Sequence, residues 1–405
     1  MIQEFKGWND VATQLNEFAN NPSHGGNRGY SLNPGQCASL RAIAERITNN
    51  GMVIADEVGM GKTCIAVELA RSVVDSGGRV AILVPPGLGY QWQDELRKGD
   101  VDAPLILRSL YQYLSAWAVG NQQQPWFQKP VVVISHAFTN WRLGERSEPW
   151  RWALLPELYA RWRQRTSTRL PRGYNNNNVL NDLCVRNAAV SICNEIPEDE
   201  QHIAWQLMNS LSDKTPWPAA LQPIEYRRNN NLRPCLEGAV GLGLGIFDLV
   251  IIDEAHKSRG AEAGLSRLLD VILQSESGRR FAMTATPVEL DITQWKQTLG
   301  RIGVDDQSLS PIKQDIESYS NAVKRVCQCP SSEDARKTYA QSAENYQKSL
   351  SPYLLRRDKR EDFAVKSFAE YSCLPIQDYR RETEISIETE KLSLPWNWTL
   401  DKPIL

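Results

Sequence analysis

Short, wholly apolar stretches that break abruptly into polar residues organise this chain. Residues 52–55 (MVIA) read as a buried strand, and they run into the glycine-bracketed turn "DEVGMGKT". From residue 63 to 74 apolar positions recur at helical spacing, so strand, turn and helix follow one another directly. The run "LVII" at 249–252 predicts a second buried strand ending in the acidic pair Asp253-Glu254. The segment "RRFAMTATP" (279–287) predicts a third strand followed by a hydroxyl-rich loop. Residues 288–352 carry helical patterns with polar breaks, and Ser331 or Ser332 suits the N-cap of a helix over "EDARKTYAQSAENYQKSL". The asparagine runs 175–178 and 229–231 read as mobile loops, and the glycine run "GAVGLGLG" at 238–245 as a flexible connection.

Composition changes this picture only a little. A chain of 405 residues with 41% hydrophobic content is long enough for two or three domains with proper cores. The net charge of −2 means that any contact with nucleic acid must come from a local basic patch. No stretch approaches 18 consecutive apolar residues and the first ten residues do not form a signal peptide, so the expectation is a soluble, cytoplasmic chain with no membrane partner. The eight cysteines are scattered, with Cys327-x-Cys329 the only close pair and no second pair at zinc-ligand spacing. They read as reduced thiols.

The chemistry begins at the glycine-bracketed turn. Backbone N–H groups at a helix N-terminus face an anion, a lysine reaches the β- and γ-phosphates of a nucleotide, and the next hydroxyl ligates Mg²⁺. Lys62 and Thr63 occupy those positions, while Gly59 and Gly61 let the backbone approach the phosphates. The strict pattern has glycine at position 56, where this chain has Asp56. At the carboxyl edge of a parallel sheet an Asp can hold Mg²⁺ through its water shell while an adjacent Glu polarises the attacking water, which assigns those roles to Asp253 and Glu254. Thr284 and Thr286 could bond across to that loop and sense its state, with His256 coupling the two. Histidines 24, 136 and 202 read as ordinary polar residues.

The order of "ADEVGMGKT", "DEAH" and "TATP" resembles the first RecA-like domain of a superfamily 2 helicase. Further stretches are similar to its SWI/SNF-like branch of double-stranded DNA translocases: "LNPGQCASL" (32–40), "VAILVPPGLGYQWQDEL" (80–96), "PVVVISHAF" (130–138) and "YLLRRDKRED" (353–362). "MTATP", with Ala285, is closer to the bacterial members. The resemblance covers about residues 30–140 and 245–365. It implies an α/β fold, a RecA-like P-loop NTPase sheet of parallel strands with helices on both faces, plus a large mainly helical insertion. It implies ATP and Mg²⁺ as cofactors, with Gln36 reading the adenine and Glu57, Val58, Gly59, Met60, Gly61, Lys62, Thr63 and Cys64 surrounding the phosphates. Double-stranded DNA is the implied partner, met at Pro85, Gly87 and Ser135, in a motor of transcription recycling, repair or anti-phage defence. A nucleotide-gated scaffold and a strand-separating DNA or RNA helicase stand as alternatives.

What the resemblance leaves uncovered shapes the expected domain plan. Residues 1–30 form an N-terminal extension, 31–138 and 246–365 the two parts of the RecA-like domain, and 139–245 an insertion. Residues 366–405 lead toward a second RecA-like domain that the chain lacks, with the partly alternating 379–390 like its opening strand. From 140 to 178 the insertion holds eight arginines against three acids, among several tryptophans. Such a segment suits phosphate contact and base stacking, with Arg161, Arg163 and Arg165 as candidates; equally, its tryptophans can pack inward while the arginines snorkel to water. An arginine supplied by a second domain is worth roughly 10³ to 10⁵ in rate, so this chain alone is expected to bind Mg-ATP modestly and hydrolyse it very slowly.

Overall fold

The computed structural model of the protein describes residues 4–21, 30–57, 59–103, 105–121, 123–177, 179–255, 264–284, 292–357 and 363–372. Its centre is one parallel sheet of six strands: β1 (Met52–Ile54), β2 (Val80–Val84), β3 (Val131–Ser135), β4 (Ile246–Ile252), β5 (Leu273–Met283) and β6 (Leu354–Leu355). The strand order is β3-β2-β4-β5-β1-β6, with every pairing parallel. This is the α/β, RecA-like architecture that the resemblance implies, built on the strands that the apolar runs predict. Parallel strands buried on both faces need unbroken apolar sequence, and β2 and β3 are buried at every position.

Alternate residues of the strands feed two separate cores. Met52, Ile54, Ile82, Val133, Ile251 and Phe281 face one side. There they meet α1 (Trp8–Asn20), α2 (Pro34–Ala44), α3 (Lys62–Asp75) and α4 (Gly89–Lys98). Val53, Leu83, Ile134, Val250 and Ala282 face the other side. Against them pack α5 (Leu110–Ser115), α6 (Leu154–Ser167), α7 (Leu183–Glu195), α8 (Ile203–Asp213), α9 (Leu232–Leu244), α10 (Gly264–Val271), α11 (Ile292–Arg301) and α12 (Asp306–Gln328). Residues 139–245 hold only helices and short 3₁₀ turns, and their buried side chains belong to the same core as that sheet face.

Helix α13 (Glu333–Leu350) pairs with α12 and starts at Ser332, whose hydroxyl accepts from the Ala335 N–H. The chain divides into two compact units, residues 1–357 and 358–405, and in the second only α14 (Phe363–Ser372) is described. The alternating stretch 379–390 lies outside the described residues. Among the described residues no helix is long and apolar enough to cross a membrane, and every cysteine is free.

The glycine run is not a flexible connection. Gly238, Gly241 and Gly243 lie within α9 and serve close packing. A Cβ on Gly241 would stand 2.3 Å from the Val271 carbonyl, and one on Gly243 only 1.8 Å from the Tyr113 hydroxyl. Gly245 then ends the helix at φ +80°, a conformation that glycine adopts without strain. The first asparagine run is likewise engaged: residues 174–176 form a 3₁₀ turn, and the Asn177 amide oxygen accepts from the Val179 and Leu180 N–H groups.

Candidate nucleotide site

The carboxyl ends of β1, β5 and β4 lie side by side, and they bring together the stretches that the sequence separates by up to 230 residues. After β1 the chain turns through Gly59 at φ +86° and Gly61 at φ +76° into α3. No side chain caps α3, so the first N–H groups of a 14-residue helix are left to an anion. A Cβ on Gly59 would meet nothing within 4 Å, which keeps the mouth of the turn open. Lys62, the first residue of α3, folds back to donate to the carbonyls of Asp56 (2.7 Å) and Glu57 (3.0 Å). Burial lowers its pKa, while Asp56, Glu254 and Asp253 pull it up. Lys62 therefore lies within electrostatic reach of the acidic pair, 191 residues along the chain.

Asp253 follows β4, and its N–H donates to the Leu83 carbonyl of β2. Its carboxylate accepts from the indole N–H of Trp92 on α4 at 2.8 Å, and Trp92 is only 1% exposed. Glu254 takes a left-handed backbone at φ +51°, a conformation that costs a non-glycine residue about 1–3 kcal/mol. Arg301 of α11 donates to the carbonyl of Ala255 just beyond. Thr284, buried, directly follows β5, and its N–H donates to the Ile54 carbonyl of β1. Val58, His256 and Thr286 lie outside the described residues.

Asp56, where the strict loop pattern has glycine, is fully buried. Arg357, just past β6, donates to it three times: from the backbone N–H (2.7 Å), Nε (2.9 Å) and Nη2 (2.6 Å). The same Nη2 also reaches the Met60 carbonyl at 2.9 Å, so one guanidinium ties both ends of the loop. Residue identity shows each partner separately, as a departure from the loop pattern and as part of the stretch 353–362. Nothing local pairs them across 301 residues.

Gln36 is 7% exposed and lies against this loop. It forms a reciprocal cap with Asn33 at the start of α2, and a Cβ on Gly61 would fall 2.0 Å from its amide nitrogen. Thr63 and Cys64 occupy the first turn of α3. The Cys64 thiol is pushed up to about 11 by burial and by Glu95 beside it, which leaves it a neutral, unreactive group.

The donor set, open N–H groups at the start of α3, the Lys62 ammonium and the two carboxylates after β4, suits a phosphate-bearing ligand. Among the described residues no cluster of three or more His, Cys, Asp or Glu could hold an ion alone. Thr63 and Asp253 are the residues that would hold a Mg²⁺ ion, which takes one or two protein ligands beside phosphate oxygens and water.

The residues expected to touch nucleic acid part company. Pro85 and Gly87 follow β2 on the same sheet edge, with Gly87 exposed, and Ser135 is buried at the end of β3. On α6, Arg161 donates to Glu157 (2.8 Å) and to the Tyr174 hydroxyl (2.7 Å). Arg165 donates to the carbonyls of Cys193 and Ile196 and stacks on Trp162 and Trp205. These two guanidinium groups serve the packing of the helices, and only Arg163 stands out to solvent, beside the Tyr159 hydroxyl.

No family model matches the chain, and no curated protein sequence matches it. Among solved structures it is similar to the Sulfolobus solfataricus SWI2/SNF2 ATPase core in complex with dsDNA, at 13% identity and a TM-score of 0.39. The match covers 85% of this chain and 47% of that one, so the chain spans about half the length of that structure.

Proposed function

We propose that this chain is the ATP-binding motor half of an ATP-dependent double-stranded DNA translocase, completed by a second RecA-like domain. One observation carries the reading: the uncapped N-terminus of α3, with Lys62, lies on the same sheet edge as Asp253 and Glu254 and within their electrostatic reach. In this proposal residues 31–138 and 246–365 form the motor domain and 139–245 an insertion built onto it.

Each residue has a part to play when nucleotide is bound. The α3 amides and Lys62 take the phosphates, which requires Lys62 to leave the carbonyls of Asp56 and Glu57. Bound Mg²⁺ supplies charge neutralisation at the phosphates. Glu254 orients and polarises water, and Trp92 fixes the Asp253 carboxylate through its indole N–H. Thr284, directly after β5, reports the state of one loop to the other. Charge that develops on the phosphates calls for a further cation, a share that this proposal assigns to the second domain.

The test is nucleotide binding by titration calorimetry with Mg-ATP, on the whole chain. Lys62→Ala abolishes binding, whereas Glu254→Gln leaves binding intact and removes the residual hydrolysis. Unchanged affinity in Lys62→Ala would refute the reading. Fast DNA-stimulated turnover by the chain alone would refute the requirement for a second domain.

A further inference from the structure

Where the chain leaves β3 it forms a groove that the nucleotide site does not use. Its walls are the start of α5, with Arg108 and Tyr111, and the segment after β3, with Phe138, Arg142, Trp150 and Arg151. The groove is shallow, with a cavity volume of about 260 Å³, so it suits a surface contact rather than a fully enclosed ligand. Leu107 bridges in parallel to Ile134 of β3, so Arg108 and Tyr111 emerge at the same carboxyl edge of the sheet as the phosphate loop. Four strand spacings of about 4.8 Å separate β3 from β1, which puts the groove roughly 20 Å across that edge from Lys62.

Its chemistry is cationic and aromatic. Among the described residues, three guanidinium groups line it and no carboxylate does. Arg142 is exposed and has no hydrogen-bond or ion-pair partner among the described residues. The nearby Glu145 is engaged by Arg227 at 3.4 Å. Tyr111 is 69% exposed, and its ring lies 5.8 Å from that of Trp150 with the planes at 78°. Arg151 lies over Trp150 at 5.1 Å, and Arg108 over the equally exposed Tyr90 at 4.6 Å. Arg108 also donates to the Tyr90 hydroxyl at 3.3 Å. Rings held at fixed angles beside these guanidinium groups match a phosphate-linked chain of bases. A duplex offers its phosphates to such a surface but keeps its base faces stacked within itself, so the exposed rings gain nothing from it.

We propose that this groove binds an unpaired strand of nucleic acid, with a base stacked on Tyr111 and phosphates held by Arg142, Arg108 and Arg151. The proposal rests on the nucleic-acid part of the function given above and not on ATP hydrolysis. It differs from that reading in naming single-stranded rather than duplex contact at this surface.

The experiment is fluorescence anisotropy on the whole chain without nucleotide. The probes are a short unstructured oligodeoxynucleotide, its ribose counterpart and a hairpin duplex, with poly-glutamate as an anionic-peptide competitor. Tyr111→Ala is expected to weaken single-strand binding about tenfold and leave duplex binding unchanged. Arg142→Gln is expected to lower the slope of log affinity against log salt by about 0.7. Lys62→Ala, which disables the nucleotide site, keeps full single-strand affinity, so this groove and the ATP site fail or stand separately. Tighter binding to either single-stranded probe supports the proposal and names the sugar. Absence of single-strand binding by the parent chain, an equal loss on the duplex in Tyr111→Ala, or displacement of the strand by poly-glutamate would overturn it. Tyr111 is exposed, and a melting curve for the variant that overlays the parent's confirms that the fold is intact.

Discussion

Replacing Arg357 by alanine removes two of the three donors to a carboxylate with no solvent contact, together with the bond to the Met60 carbonyl. Breaking a buried ion pair from one side costs about 3–5 kcal/mol, because the remaining charge stays buried without its partner. The Arg357 side chain keeps 13% of its surface in water, and its backbone N–H still serves Asp56 after substitution. The lower end therefore applies, about 3 kcal/mol, or roughly a hundredfold in the folding equilibrium. Urea denaturation followed by tryptophan fluorescence measures it. Arg357→Lys should recover only part of the loss, since an ammonium cannot fork across both contacts. Asp56→Gly, which restores the strict loop glycine, should cost less than Arg357→Ala, because a freed arginine near the surface can turn to water. The double variant should then fall well short of the sum of the singles, by about 1–3 kcal/mol. A loss below about 1 kcal/mol for Arg357→Ala, or strict additivity in the cycle, would refute the view that this pair holds the phosphate loop.

Three further outcomes follow from other contacts. Trp92→Phe keeps most of the ring packing but removes the 2.8 Å bond to Asp253; the loss of a hydrogen bond to a charged group predicts about 1.5–3 kcal/mol of destabilisation in urea, with a steeper Mg²⁺ dependence of ATP binding. Gly241→Ala should destabilise by about 1–3 kcal/mol in the same assay despite the better helix propensity of alanine, because its Cβ would stand 2.3 Å from a backbone oxygen that cannot turn aside. The Tyr174 hydroxyl is pushed up to about 12 by burial and by its bond to Glu157. Its folded pKa is raised, so the stability it contributes is complete below its ordinary value near 10 and is lost as pH climbs toward 12. An alkaline titration should show its tyrosinate absorbance rising together with loss of helical circular dichroism, and Tyr174→Phe should remove that component.

The sheet was legible because apolar runs buried on both faces leave an unmistakable mark, and β1, β4 and the end of β5 fall where residues 52–55, 249–252 and 279–283 place them. The long start of β5 escaped because "LQSESG" is polar and half-exposed, a strand made by its pairing with β4 rather than by its own composition. Helix α9 was misread because glycine weakens a helix in isolation, whereas here small residues allow close approach to α10 and Tyr113. Lys62, Thr63, Asp253 and Glu254 stood out by spacing. Trp92 and Arg357 were visible as parts of the stretches 80–96 and 353–362, but their partners were not, since a hydrogen bond formed 161 or 301 residues away leaves no local trace. The arginines of α6 were ambiguous for a related reason: charge alone does not distinguish a guanidinium that caps buried carbonyls from one that faces water.

The strand order also bears on how the chain is made. β1 pairs with β5 and β6 alone, and both are translated long after it. At ordinary elongation speeds of about 5–20 residues per second, the ribosome needs roughly ten to forty seconds to travel from Ile54 to Leu273. Throughout that interval the apolar strand destined to lie between β5 and β6 has no neighbour. Nascent chains stalled between those points should recruit holdase chaperones far more strongly than chains released after Leu355.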